Sequence, residues 1–320
     1  MKVSVVIPVY NTARDKFVRL LDSVLSQTEQ SFEILVVDDG SAPETAAMLD
    51  DVAKKDSRIS VCHQANQGKG GFPARYDGIA KARGDYVYIP DSDDVLHPRL
   101  LEYCLWAAET KGAEFVAFRY LKIADGCVPS PPELPPFDKA PILLVDENSS
   151  QETTLGAISL IHVDNWAQFA RRELIQALPK REVSDLTRTF RLVKGAKKWA
   201  ATPLQLYFYD AGVTGSVSHG TYSLEQITCL HKDLIELCDL YADERQAHDP
   251  VWEAICKNFV LGSLKIAYNA IRKRKLAGPK KEYKKALSVL LKKLLFEKHV
   301  SYSWVKWQYR IPYLAIITMY

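Results

Sequence analysis

Two groups of carboxylates are spaced for chemistry: Asp38 and Asp39 in FEILVVDDGS, and Asp91, Asp93 and Asp94 in DYVYIPDSDD. Each group ends a short apolar run. Carboxylates gathered in one place repel one another unless a cation sits among them. An all-oxygen set suits Mg²⁺ or Mn²⁺, hard ions that keep waters and also bind substrate phosphates. Asp and Gly are ordinary turn and cap formers as well, a reading that fits Asp91 or Asp94 alone better than it fits the recurrence at two strand ends. A third feature is the run 66–75, NQGKGGFPAR, which carries the cations Lys69 and Arg75 and leads into a helical pattern. Backbone N–H groups and the helix dipole favour anions at such a place. The run has neither the P-loop spacing nor a dinucleotide G-x-G-x-x-G, because the first apolar run ends in Pro8-Val9-Tyr10-Asn11. Alone it reads equally well as a flexible loop.

Placing these residues requires alternating strands and helices. The runs 3–8, 33–37, 59–63, 86–90 and 115–120 are short and β-branched or aromatic, and read as strands. Segments 16–27, 43–54, 73–82 and 98–110 read as helices, three of them with proline near the start. That order predicts right-handed crossovers and a mostly parallel α/β sheet with helices on both faces. Ligands of such sheets bind beyond the carboxyl ends of the strands, where both carboxylate groups fall. Residues 125–150 hold six prolines and read as a long exposed loop or linker. Order resumes near 155–163, followed by helices at 170–178 and 184–194, a strand at 204–209, and helices at 224–242, 250–275 and 280–298.

The composition is that of an ordinary soluble protein: 320 residues, 47% hydrophobic and 25% charged. Disordered, collagenous and coiled-coil chains are excluded. The net charge of +3 hides an asymmetry. From Arg272 to the end there are thirteen Lys or Arg and two Glu, a net of +11, which leaves −8 on residues 1–271. The six cysteines form no C-x-x-C pair, so neither a zinc ribbon nor a disulfide framework is expected. The first apolar run is too short for a signal peptide and no stretch of 18 apolar residues occurs, so the expectation is a cytoplasmic protein without a transmembrane helix.

The segments VSVVIPVYN, LLDSVLSQT, FEILVVDDGS, N-x-G with the later Ala74-Arg75, and ARGDYVYIPDSDD together resemble family 2 glycosyltransferases. The likeness is dense over 1–120 and thinner over 155–220. It implies a GT-A fold over residues 1–220, with a nucleotide-sugar half at 1–120, an acceptor half at 155–220, and a separate helical, basic region at 221–320. It further implies that Pro8, Tyr10 and Asn11 border the nucleotide. Asp39 would accept a hydrogen bond from uracil, Arg75 would lie near the base or diphosphate, and Lys69 of the glycine run and Ser92 are further candidate nucleotide-sugar contacts. In the D-x-D motif Asp91 would face the ribose and Asp93 would hold Mg²⁺ or Mn²⁺. The family's Glu-Asp pair is matched by Ser184-Asp185, so Asp185 is the expected general base, with Glu182 as the alternative. His219, in a turn that resembles a family motif, is a candidate metal ligand or diphosphate contact against the plainer reading of a surface histidine. The activity implied is inverting transfer from a UDP-sugar to a hydroxyl of a glycan or lipid-linked acceptor. No Q-x-x-R-W follows Asp185, which argues against a processive synthase. The alternatives are a nucleotidyltransferase and a non-catalytic binding protein of the same fold.

Residues 280–298 read as an amphipathic helix, with Leu287, Leu290, Leu291, Leu294 and Leu295 between lysines and aromatics beyond. Such a helix can lie in an anionic membrane interface, pack on its own protein, or join two copies as a homo-oligomer. No nucleic acid is expected as a partner.

Overall fold

The computed structural model describes residues 1–67, 71–127, 130–179, 185–211, 223–241, 250–272, 276–298, 300–301 and 313. The chain divides into two compact units, Met1–Val213 and Thr214–Tyr320.

In the first unit the apolar and amphipathic runs become β1 (Val3–Val9), α1 (Arg14–Leu25), β2 (Phe32–Asp38), α2 (Pro43–Ala53), β3 (Ile59–His63), α3 (Phe72–Lys81) and β4 (Tyr86–Tyr88). These four strands are parallel, in the order β3-β2-β1-β4. β1 buries Val3, Val5, Val6, Ile7 and Val9. A strand covered on both faces reads as an unbroken apolar run rather than an alternation. α1 buries Phe17, Leu20, Leu21 and Val24, spaced three or four apart on one face. Their burial contributes roughly 6–12 kcal/mol of transfer free energy, before chain entropy is set against it.

A buried carboxylate holds β4 against β1. Glu33 accepts from Ser4 Oγ at 2.7 Å and from the Arg83 backbone and guanidinium at 2.6–2.9 Å. Burial pushes the Glu33 carboxyl up, but the Arg83 and Ser4 bonds outweigh it and hold the group below its usual range. Ser4 Oγ accepts in turn from Gly84 N at 2.8 Å. A Cβ on Gly84 would lie 2.6 Å from Ser4 N, so only glycine allows this approach.

Beyond β4 the sheet becomes mixed. The elements are β5 (Val95–Leu96), α4 (Leu100–Lys111), β6 (Phe115–Ile123), β7 (Leu143–Asp146), α5 (Gln151–Leu160), β8 (Gln168–Arg171), α6 (Arg172–Gln176), α7 (Asp185–Gly195) and β9 (Lys198–Asp210). The order continues β4-β8-β6-β9-β5, with β7 also on β9. β8 is antiparallel to both β4 and β6. β9 is parallel to β6 and antiparallel to β5 and β7.

Two expectations are corrected here. The helix expected at 170–178 begins only at Arg172, because Ala170 and Arg171 pair with Val87 and Tyr86. Phe169 also stacks on Tyr86 with ring centroids 5.1 Å apart. The proline-rich stretch 125–150 is not a free linker. Phe137 stacks on Trp106 at 5.3 Å and meets Tyr103 at 4.8 Å, and β7 pairs with β9. Its apolar residues, Leu134, Phe137, Ala140, Ile142 and Leu144, cover the core.

The second unit contains α8 (Leu224–Leu240), α9 (Pro250–Ile255), α10 (Leu261–Arg272) and α11 (Lys280–Lys292). A π-helical turn, Cys256–Val260, joins α9 to α10, and a second, Lys293–Glu297, extends α11. Leu287, Leu290, Leu291 and Leu294 are at most 1% exposed, and α11 lies against α8 and α10. The leucine face is therefore spent on packing inside the unit, and an interfacial role would fall to the exposed Lys280, Lys281, Lys285 and Lys292. No helix among the described residues is long and apolar enough to cross a membrane.

Candidate active site

Where β1 and β4 end, the sheet opens. β4 stops at Tyr88 opposite Val5, while β1 runs on to Val9 beside β2. Val9 O accepts from Asp39 N at 2.8 Å. Strand alternation then turns the donor-less nitrogen of Pro8 to the other side, where β4 no longer offers a partner. This gap between strands whose connections run in opposite directions is the expected crevice of an open α/β sheet.

The loops around the crevice are braced by short polar contacts. Asn11, in the left-handed region at φ 51°, donates its N–H to Ser41 Oγ at 2.9 Å and accepts from Ala42 N at Oδ1, 2.7 Å. Its side chain thus holds the β1 and β2 loops together, a task the expected place beside the nucleotide did not include. Tyr10 is 57% exposed. Thr12 and Ser92 share a hydroxyl–hydroxyl bond of 2.5 Å across the crevice. Asp38 accepts from Ser41 N and meets His63 Nδ1 at 2.7 Å. Burial pushes its carboxyl up, but Ser41 and His63 bring it below the usual range. Asp39 is 3% exposed and accepts from Gln64 Nε2 at 2.9 Å and Gln67 N at 3.3 Å.

Gly40 permits this arrangement, with φ +74° and a hypothetical Cβ only 2.5 Å from Asn66 N. Gly40→Ala should cost about 1–3 kcal/mol through backbone strain alone, read as a lowered melting temperature. An unchanged melting temperature would show that the 64–67 loop can retreat.

The D-S-D-D carboxylates divide their work. Asp91 pairs with Arg75 Nη2 at 2.8 Å, placed by α3. Asp94 is 1% exposed and accepts from Tyr207 OH at 2.5 Å and Asp210 N at 2.7 Å. Burial and the neighbouring Asp91 and Asp93 push its carboxyl far above the usual range. It is a strut between the loop and β9, and Tyr207 also accepts from Asp91 N at 3.2 Å. Asp93 has its backbone carbonyl held by Arg19 Nη2 at 3.0 Å. Its carboxyl is pushed up to about 6, by burial first and the charge of Asp91 second.

A hard divalent ion fits this donor set. The side chains offer only oxygen, and Asp93 forms no salt bridge among the described residues. No three His, Cys, Asp or Glu side chains converge into a full cage among the described residues. The remaining positions would therefore belong to water and substrate oxygens, the usual way Mg²⁺ is held.

Asp185 is the first residue of α7. Thr189 Oγ1, one turn on, shares its single proton between Asp185 O at 2.7 Å and Val163 O at 2.8 Å and accepts from Gln168 Nε2 of β8. These contacts seat the start of α7 at the end of the sheet. Burial pushes the Asp185 carboxyl up to about 7, Arg75 opposes it, Asp164 and Asp91 add to it, and Arg188 opposes it again. The charges of Arg75 and Asp91 thus reach Asp185, so the structure brings together Asp91, Arg75 and Asp185, residues 16 to 110 positions apart in sequence.

Lys69, Glu182 and His219 lie outside the described residues. Tyr207, Asp164 and Arg188 were missed. Arg188 is a 2% exposed arginine on α7, its guanidinium lowered to about 10 by burial. Its only sequence signal is a charge among Leu186, Phe190 and Leu192, all of which are buried.

The family described as "Glycosyl transferase family 2" matches residues 4–192. Glycosyltransferase GlyG of Streptococcus pneumoniae serotype 4 is 37% identical over 118 residues, 37% of this chain and 38% of that protein. Among solved structures, S. aureus TarS superposes with a TM-score of 0.72 at 17% identity, covering 99% of this chain and 53% of TarS. The TarS 1-349 form in complex with UDP-GlcNAc gives 0.59 at 16% identity, covering 99% and 79%. The chain thus spans well under two thirds of the length of GlyG and of that TarS chain. The likeness to TarS shows a shared GT-A fold.

Proposed function

The chain belongs to glycosyl transferase family 2, and from that premise we propose that it transfers a sugar from a UDP-sugar to a hydroxyl of a glycan or lipid-linked acceptor, with inversion. One observation carries the reading: Asp39 follows the carboxyl end of β2 and Asp91 and Asp93 follow that of β4, Asp91 pairs with Arg75, and the charges of both act on Asp185. The TarS form crystallised with UDP-GlcNAc shares this fold, which supports a UDP-linked donor here.

Each residue then has a separate task. Asp39, anchored through Oδ1, accepts the uracil N–H. Arg75, half-buried and paired with Asp91, presents fixed positive charge to the donor side. Asp185 takes the proton of the acceptor hydroxyl as its oxygen bonds to the anomeric carbon. The bond from that carbon to the diphosphate oxygen breaks, and UDP leaves with the electron pair. Asp93 would hold Mg²⁺ or Mn²⁺, which supplies charge stabilisation for the leaving diphosphate when bound.

The test is a panel of UDP-sugars, with GDP-mannose as control, screened first for thermal stabilisation with Mn²⁺ and then for slow hydrolysis. Stabilisation and hydrolysis by one UDP-sugar is the expected result. Stabilisation without turnover of any donor or acceptor would favour a binding protein of this fold.

A further inference from the structure

Tyr120, His162, Trp166, Tyr207 and Tyr209 form one continuous aromatic assembly. Trp166 stacks on Tyr207 (4.6 Å between centroids, 5° between planes), on His162 (5.3 Å, 23°) and on Tyr209 (5.7 Å, 16°). Tyr120 meets His162, Trp166 and Tyr209 edge-on at 4.6, 4.8 and 6.1 Å. Trp166 and Tyr207 are buried, whereas Tyr120, His162 and Tyr209 are half-buried. The accessible surface of the assembly therefore belongs to Tyr120, His162 and Tyr209.

Both ends touch the site described above. At one end Tyr207 accepts from Asp91 N and donates to Asp94. At the other, His162 Nδ1 lies 2.6 Å from Asp164, a carboxylate whose charge acts on both Tyr120 and Asp185. The rings thus cover the ground between the D-S-D-D loop and the neighbourhood of Asp185.

We propose that the half-buried rings of Tyr120, His162 and Tyr209 bind the acceptor, and that this acceptor is a pyranose of a glycan, laid on the aromatic faces with a hydroxyl held by Asp164. The inference rests on the glycosyl-transfer reading and narrows its acceptor. Aromatic faces are electron-rich and their edges electron-poor. The axial C–H bonds of a pyranose present a flat, weakly positive face that matches them, while its equatorial hydroxyls reach a carboxylate at the rim. An acyclic polyol phosphate has no such face, and its phosphates would meet the carboxylates of Asp164 and Asp185.

Saturation-transfer NMR on the full chain, with saturating UDP and Mg²⁺, tests this with methyl glucoside, galactoside, mannoside and N-acetylglucosaminide. Glycerol 3-phosphate serves as the acyclic control. We expect transfer to the ring C–H protons of at least one pyranoside. In Tyr120→Ala and Tyr209→Ala that binding should weaken about three- to tenfold, with the Phe variants close to wild type, since the ring and not the hydroxyl carries the contact. The UDP signals in the same samples show that the variants are folded, and report on the donor side independently. No pyranoside signal in the wild type, an equal signal in the Ala variants, or preference for glycerol 3-phosphate would each overturn the proposal.

Discussion

Asp185→Asn is expected to lower kcat by about 10²–10⁴-fold, the usual contribution of a positioned general base, with UDP affinity unchanged within about twofold. The substitution keeps the size and first-turn position of the side chain and removes only its ability to take a proton. The pH profile gives the sharper signature. Burial holds the Asp185 carboxyl up at about 7. Below that value the group carries a proton and cannot act as a base; above it the group is ionised and ready. kcat/KM of the wild type should therefore rise with pH and level off above about 7, and this limb should vanish in Asp185→Asn. A base poised near the working pH is also well matched for proton transfer, since it combines the right protonation state with adequate basicity. Near-normal turnover in the variant would move the base to Glu182.

The second large effect concerns Asp93. Its carboxyl is raised to about 6 by burial and by Asp91, a state that a bound cation relieves. Asp93→Asn should lower transfer by on the order of 10²-fold or more, the several kcal/mol that a Lewis acid supplies to a departing phosphate. The same variant should lose the extra thermal stabilisation that Mn²⁺ adds to UDP, while stabilisation by UDP in EDTA stays as in the wild type. These two arms separate a metal-holding role from damage to the loop, which would reduce both. Full wild-type activity in EDTA would end the metal role.

How much of this was legible depends on where each partner lies in the chain. β1 and β2 were legible because buried parallel strands are written as continuous apolar runs with helices between them; β3, a part-buried edge strand, was legible only from its β-branched residues between two helical patterns. β5 has two residues and β8 has four, too few for any period to show, so the mixed half of the sheet was hidden and Ala170-Arg171 was absorbed into a helix. Asp91, Asp93 and Asp185 could be singled out by motif. The separate duty of Asp94 could not, because the groups that fix it, Tyr207 and Asp210, come 113 and 116 positions later. The same holds for the leucines of α11, whose spacing predicts one apolar face but does not say whether protein or lipid covers it.

β9 has a consequence for how the chain is made. It is the last strand of its unit to leave the ribosome, yet it lies inside the sheet and pairs with strands at 95–96, 115–123 and 143–146. Through Tyr207 and Asp210 it also fixes the D-S-D-D loop. A nascent chain that stops near residue 195 would present β6 with an unpaired edge and leave Asp94 without its partners. Such an edge is a template for association with other chains, and long-range pairings of this kind form late and slowly. During synthesis β6 must therefore wait, with one edge unpaired, for a strand encoded more than eighty residues downstream.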